Sequence, residues 1–198
     1  TDPKVLIIDQ RHEESVLEAI RLSGKQPKRL IIVDGPTTSH ATSYADYVRQ
    51  ASDDEPRTGV PFNIYDETTR LFTSGTTGRA KAVPLTSINE VLSAHDVMIH
   101  FPMNYRDVTM NTTPWFHRGG LHCGGPCPTF YAGATMVIMP KFDADKTLQY
   151  VSRYKISFVV GVPTVLESLA DEQERQGYDL HTLRGIVTMG SPLERGAC

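Results

Sequence analysis

Short apolar runs rich in β-branched residues alternate with segments of helical period along the whole chain. This alternation narrows the fold more than any other feature. Lys4-Val-Leu-Ile-Ile-Asp9 and Arg29-Leu-Ile-Ile-Val-Asp34 are continuous apolar runs of the kind a buried parallel strand needs. Between them, Glu13 to Ser23 sets Val16, Leu17 and Ile20 on one helical face, and Gly24 stands where a helix would cap. Strand, helix, strand with short links is a βαβ unit. A short helix is predicted from Tyr44 to Gln50. Further on, Asp107–Thr112, Thr135–Met139, Ser157–Val160 and Arg184–Thr188 read as strands. A helix is predicted after Pro128, ending at Gly133. Asp143 caps another through Tyr154. Pro163 opens a third, with Val165, Leu166, Leu169 and Ala170 inward and Gly177 at its end. The expected class is α/β, with mostly parallel sheets and helices on both faces. No GxGxxG follows the first strand, so residues 1–60 read as a plain βαβ layer and not a dinucleotide site.

The chemistry concentrates in Thr73-Ser-Gly-Thr-Thr-Gly-Arg-Ala-Lys81, where two glycines, four hydroxyl residues and a basic end fill nine positions. The run Thr69–Phe72 precedes it and Ala82–Leu85 follows, which predicts a tight polar loop between two strands. Gly75 and Gly78 let the backbone approach a ligand closely. Successive N–H groups in such a turn, with the hydroxyls of Thr73, Ser74, Thr76 and Thr77, suit an anion. Lys81 adds a point charge of the right sign. The spacing is not that of a GxxxxGK[ST] loop, since Ala82 follows the lysine.

Ser87-Ile-Asn-Glu90 has the form of a capping box and predicts a helix to about Phe101, with Ile88, Val91, Leu92 and Ile99 toward a core. The positive end of that helix is expected to add to the loop's pull on phosphate if it lies near. His95 and His100 read as ordinary helical residues. After the strand ending at Thr112, Pro114, Trp115, Phe116, His117 and Gly119-Gly120 form a loop suited to a pocket wall, because ligands in open α/β sheets sit off the carboxyl ends of strands. Taken alone, His117 reads somewhat more readily as a structural residue under a glycine turn. Cys123 and Cys127, with His117 and His122, approach zinc-site spacing, but no second ligand pair follows, so buried thiols are the preferred reading.

Thr73-Ser-Gly-Thr-Thr-Gly-x-x-Lys81, followed by a short strand and Leu85-Thr86, resembles the phosphate loop of the adenylate-forming (AMP-binding) superfamily. That group holds acyl-CoA synthetases, aryl-CoA ligases, luciferases and the adenylation domains of peptide synthetases. The chain departs from the usual pattern at Ala80, Ala82 and Ser87, none of which supplies phosphate contacts. Pro114-x-Phe-His-x-x-Gly-Leu121 is similar to the family's second signature, Val162-Pro163-Thr164 to the start of a helix lining the acyl pocket, and Gly190-Ser191-Pro192 to a turn flanking adenine. The resemblance implies that Thr73 to Gly78 and Lys81 hold the β- and γ-phosphates of ATP, and that Lys81 and His117 are catalytic. His117 would border the acyl carboxylate, with Trp115 and Phe116 beside it in the pocket wall.

The implied reaction has two halves. A carboxylic acid attacks the α-phosphate of ATP, assisted by Mg²⁺, giving an acyl-adenylate; a thiol, most often coenzyme A, then takes the acyl group. A nucleotide-binding α/β module without ligase chemistry, and a peptide-synthetase adenylation domain, are the competing readings. The family's later signatures and its lysine-bearing C-terminal domain are not in these residues. The chain is therefore expected to be a piece of the large N-terminal domain, inactive alone, with residues 1–60 as one layer and 61–198 carrying the loop, the pocket wall and the start of the adenine segment. A net charge of −3 gives no reason to expect nucleic acid or an anionic membrane as partner. No apolar run reaches the ~20 residues of a membrane span. An odd count of three cysteines is not a disulfide framework and points to the cytoplasm. Strand edges left open in such a piece predict self-association into a homo-oligomer.

Overall fold

Leu30, Ile31 and Ile32 form the buried centre of the first sheet. The computed structural model describes residues 2–35, 41–73 and 80–193. They fall into two units, 1–60 and 61–198, each with its own sheet structure. In the first unit, β1 (Val5–Asp9) leads through a 3-10 turn into α1 (Glu13–Ser23), then β2 (Arg29–Val33), β3 (Thr42–Ser43) and α2 (Tyr44–Arg49). The strands are parallel in the order β1-β2-β3, with Leu6 opposite Leu30 and Ile31 opposite Thr42. Gly24 ends α1 in the left-handed region at φ 64°, where a Cβ is disfavoured. The two apolar runs differ in outcome. β2 is central and buried, whereas β1 is an edge strand that leaves Ile7 59 % exposed.

The second unit opens with an antiparallel hairpin, β4 (Glu67–Thr73) and β5 (Lys81–Thr86), and β5 runs directly into α3 (Ser87–His100). The helix cap falls one residue earlier than the sequence suggested. Asn89 Oδ1 accepts from Thr86 N at 3.0 Å and from the Thr86 hydroxyl at 2.9 Å, so the reciprocal pair is Thr86–Asn89 and Glu90 is released from capping. The buried face of the helix also differs from the expectation. Val91, Leu92 and Ile99 are exposed, and Ala94 is buried instead, with Glu90, Val97 and Met98 half-buried.

Then come β6 (Val108–Asn111), α4 (Arg118–His122), α5 (Pro126–Tyr131), β7 (Thr135–Met136), α6 (Ala144–Tyr154), β8 (Phe158–Gly161), α7 (Pro163–Gln176) and β9 (Gly185–Thr188). The helix expected after Pro128 starts two residues sooner, because Pro126 takes the first helical position, where no N–H is needed. β7 is shorter than predicted. Val137 N still donates to Thr109 O, after which Ile138 to Phe142 leave the sheet. Asp143 caps α6 by accepting from Lys146 N at 3.0 Å, and Gly177 ends α7 at φ 68°. Ala170, expected inward on α7, is exposed, while Glu172 is buried in an ion pair with Arg175.

The four strands are parallel in the order β7-β6-β8-β9. Strand alternation sorts the two faces. Met110 and its register partner Val159 join Leu148 and Val151 of α6 and Leu166 and Leu169 of α7 in one apolar cluster. Burying each of these side chains contributes about 1.5–3 kcal/mol. Thr109 and Asn111 point the other way, toward α5 and α4: the Thr109 and Thr129 hydroxyls lie 2.8 Å apart, and Thr129 donates to Gly125 O. Helices therefore cover both faces of this sheet. At its amino-terminal edge, buried Asp107 accepts from Ser157 Oγ at 2.8 Å and from Arg184 Nη1 at 2.6 Å, tying β6, β8 and β9 together.

Candidate active site

Antiparallel pairing sets Thr73 opposite Lys81, so the Gly/hydroxyl segment opens from a closed ladder end. Ser74, Gly75, Thr76, Thr77 and Gly78 lie outside the described residues. Thr73 and Lys81 are both exposed, and Lys81 makes no ion pair with any described residue, which leaves its charge free for an incoming anion. The expected help from the next helix does not follow. The amino end of α3 lies at the far end of β5, about 17 Å away at 3.4 Å per residue. A helix dipole acts only within its first turn.

A second element of the candidate site is the carboxyl edge of the four-stranded sheet. The chain passes from β6 to β7 on one side, then crosses to β8 on the other. Strand order therefore reverses between β6 and β8, and the crevice beyond their carboxyl ends is where such sheets bind ligands. Asn111, Gly161 and Thr188 end the three strands there. Asn111 is buried and acts as a strut. Its Nδ2 donates to Cys123 O at 2.9 Å, Gly119 O at 3.3 Å and Gly120 O at 3.4 Å, and its Oδ1 accepts from Thr113 N at 2.8 Å. Thr112 fastens the same loop to β8 by donating from N and Oγ1 to Val160 O. At Gly120 there is no room for a side chain: a Cβ would collide with the Pro114 carbonyl.

His117 caps α4, with Nδ1 accepting a long bond from Gly119 N at 3.5 Å, and its side chain is exposed. Met189, just past β9, comes next to it: a Cβ at Gly119 would sit 2.6 Å from Met189 Sδ and 3.8 Å from His117 Nδ1. Gly190 follows at φ 87°, a conformation that suits glycine, with Val162 Cγ1 its nearest neighbour at 3.8 Å from the Cβ position. The sheet edge thus brings His117, Gly190 and Val162 to one side of the molecule from three separate stretches of sequence. Ser191 and Pro192 follow Gly190 and are exposed. Val162 is the N-cap of α7, Pro163 is buried at its first position, and Thr164 is exposed.

Trp115 and Phe116 line a concavity of about 540 Å³ together with Asn111, Met139, Lys141 and Phe142. His117, Val162, Pro163 and Thr164 are not in its wall. Sequence reading passed over Asn111 and Met189. An amide closing an apolar strand just before Thr-Thr-Pro was the available signal for Asn111; Met189 carried none.

The whole chain, residues 1–198, matches the AMP-binding enzyme family, and the protein belongs to that family. Among curated relatives it is 31% identical over 193 residues to indoleacetate–CoA ligase of Aromatoleum aromaticum, covering 96% of this chain and 36% of the relative. It is 31% identical over 144 residues to feruloyl-CoA synthase of an Amycolatopsis species, covering 72% of this chain and 29% of the relative. The chain thus spans about a third of the length of the relatives it matches. In fold it is similar to an anthranilate CoA ligase solved with anthranoyl-AMP, with a TM-score of 0.85 at 22% identity, covering 96% of this chain and 36% of that one. It is also similar to a long-chain-fatty-acid-CoA ligase from Archaeoglobus fulgidus, with a TM-score of 0.82 at 22% identity, covering 99% and 38%. No helix among the described residues is long and apolar enough to cross a membrane.

Proposed function

We propose that this chain is the nucleotide-facing part of an AMP-forming acid–thiol ligase. It would activate a carboxylic acid with ATP and pass the acyl group to a thiol, with coenzyme A as acceptor, in the cytoplasm. The hairpin that sets Thr73 and Lys81, which pairs with no described residue, at the two ends of the Gly/hydroxyl segment carries this reading. Ligase relatives that act on aromatic and aliphatic acids support it. A carboxylate is a poor nucleophile toward a polyanion, so the chain's contribution is positioning and charge neutralisation. Lys81 and the segment Thr73 to Gly78 would hold the β- and γ-phosphates as pyrophosphate leaves. His117 would orient the acid from the sheet edge, beside Trp115 and Phe116, with Val162-Pro163-Thr164 framing the acyl side and Gly190-Ser191-Pro192 the adenine.

Thr73 and Lys81 bring a hydroxyl and a cation but no carboxylate, so they do not make a Mg²⁺ site. In this reading the ion arrives on the triphosphate. Residues 61–198 would carry these groups and residues 1–60 a supporting layer of the same N-terminal domain. The segments that relatives have beyond this span would complete the catalyst.

The test is carboxylate-dependent exchange of labelled pyrophosphate into ATP. A protein carrying these residues together with the relatives' remaining segments is expected to exchange with at least one acid, and the 198-residue chain alone is not. ATP binding without exchange for any acid in a broad panel would leave a nucleotide-binding module in place of a ligase. Strong exchange by the chain alone would show that the catalytic groups all lie within it.

A further inference from the structure

With Asn89 and not Glu90 in the capping box, the Glu90 side chain faces α4 and α5. There its Oε2 meets two groups at once: His122 Nε2 at 2.6 Å and Cys127 Sγ at 3.2 Å. The three ligand atoms all lie within 4.8 Å of one another. His122 is 2 % exposed, and its other ring nitrogen, Nδ1, lies 3.3 Å from the Arg118 carbonyl. That carbonyl can only accept, so a proton on Nδ1 holds the ring through its second nitrogen, as ligating imidazoles are held; Nε2 and the Glu90 carboxylate share a proton across their 2.6 Å contact, the place a cation would take. Glu90 Oε1 is buried with no partner in good hydrogen-bond geometry among the described residues, and the Thr69 side chain helps to hold the carboxylate charged. The site therefore holds a carboxylate with unused acceptor capacity, an oriented imidazole nitrogen and a thiol.

We propose that Glu90, His122 and Cys127 form a binding site for a borderline-soft divalent cation of the zinc class, joining α3, α4 and α5. Ligand bonds of about 2.0–2.3 Å in tetrahedral geometry put neighbouring ligand atoms about 3.3–3.8 Å apart. The observed spacing reaches that with small side-chain rotations. One oxygen, one nitrogen and one sulfur suit this class of ion better than Mg²⁺ or Ca²⁺, which take oxygen. The fourth position, or a second bond from Glu90 Oε1, completes the set. On binding, the proton shared by Glu90 and His122 and the Cys127 proton leave to solvent, and the carboxylate, the imidazole nitrogen and the thiolate take their places at the metal.

A thiol nucleophile does not fit the same three residues. The carboxylate stands between the thiol and the imidazole, and burial together with the Glu90 carboxylate pushes the Cys127 thiol up to about 12. The ligands differ from those the C-x₃-C spacing suggested. Cys123 and His117 are outside the cluster, and Glu90 enters from a helix thirty-two residues before His122.

The test starts from the full chain carrying Cys123→Ser and Cys198→Ser, so that Cys127 is the sole thiol. After loading with Co²⁺ and desalting, one cobalt per chain and a thiolate-to-cobalt band in the near ultraviolet are expected, both displaced by Zn²⁺. Adding Cys127→Ser should remove the band and weaken retention by about 10–100-fold or more, on the scale of lost metal-site contacts. Glu90→Gln, which keeps size and removes charge, should weaken retention in the same way and abolish the rise in Tm that Zn²⁺ gives the parent. A parent chain that is folded by circular dichroism and retains no cobalt would overturn the proposal. So would retention unchanged by Cys127→Ser, since exposed groups such as the Asp179–His181 pair would then be holding the metal.

Discussion

Thr73 and Lys81 are register partners in the last rung of the β4–β5 hairpin, so the segment between them begins and ends at one ladder rung. A hydroxyl and a cation are thereby placed opposite each other at the two ends of the Gly/hydroxyl segment. The hairpin is antiparallel and stands apart from the parallel sheet in hydrogen bonding. Thr73 and Lys81 and the carboxyl-edge groups thus come from two different pieces of β structure.

Replacing Lys81 by alanine is expected to leave the fold intact, because the side chain is exposed and pairs with no described residue. In a ligase-active protein, kcat/KM for MgATP should fall by about 2–4 kcal/mol in transition-state terms, the scale of one preorganised electrostatic contact, or roughly 30- to 1000-fold. Steady-state kinetics at saturating acid checks this. An unchanged value takes Lys81 out of the site.

His117→Ala separates two roles. As an orienting group, His117 should matter more for acyl-adenylate formation than for thioester formation from supplied acyl-adenylate. As a helix cap with a 3.5 Å bond to Gly119 N, it should matter for stability, by about 0.5–2 kcal/mol. Single-turnover measurements of each half-reaction, with a urea titration alongside, tell them apart: equal slowing of both halves with reduced stability would mean a structural cap.

Asn111 tests the loop's support. Asn111→Ala removes the donor that serves three carbonyls and should cost about 1–3 kcal/mol. Asn111→Asp keeps the acceptor for Thr113 N but aims a carboxylate oxygen at those carbonyls, so at neutral pH it should be the worse of the two. Acid should narrow the gap, because protonation restores a donor. Urea unfolding of both variants at pH 7 and pH 5 measures the order.

Acid stability should report on Asp107. Burial opposes its charge, but hydrogen bonds from Asn104 N, Ser157 and Arg184 outweigh that and hold its carboxyl below the usual range. A carboxyl lowered in the folded state adds stability that is present above the ordinary carboxylate pKa and is lost as pH falls through the folded one. Asp107→Asn should therefore be less stable than the parent at pH 7, and the difference should shrink below about pH 4 as the parent loses its advantage. A difference that stays constant across that window would assign the effect to packing and not to charge.

What the sequence made legible was local. The caps at Gly24, Asp143 and Gly177 and the proline start of α7 are read from residues within a turn of each helix end, and the structure places them as expected. The strand alternation was equally legible, because each run is decided by its own composition. The site's supports were not. Asn111 acts on Gly119, Gly120 and Cys123, and Glu90 on His122 and Cys127, across separations that no local pattern encodes. Glu90 was misread for a definite reason: two overlapping four-residue windows, Thr86–Asn89 and Ser87–Glu90, both offer a hydroxyl followed by an acceptor. Only tertiary packing chooses between them. The phosphate segment itself was named from its residue order, and its interior lies outside the described residues.

The shortness of β6 has an energetic corollary. Asp107 precedes the strand and Asn111 ends it, four residues apart, or about 13 Å along an extended chain. One side chain gathers β8 and β9 and the other gathers the loop of Pro114 to Cys123, with no partner in common. At that distance, and without shared partners, substitutions at the two positions should combine additively within about 0.5 kcal/mol. Losses incurred by reshaping one end of the strand can then be offset by improving the other, so the loop of Pro114 to Cys123 is free to vary independently of the residues that keep the sheet assembled.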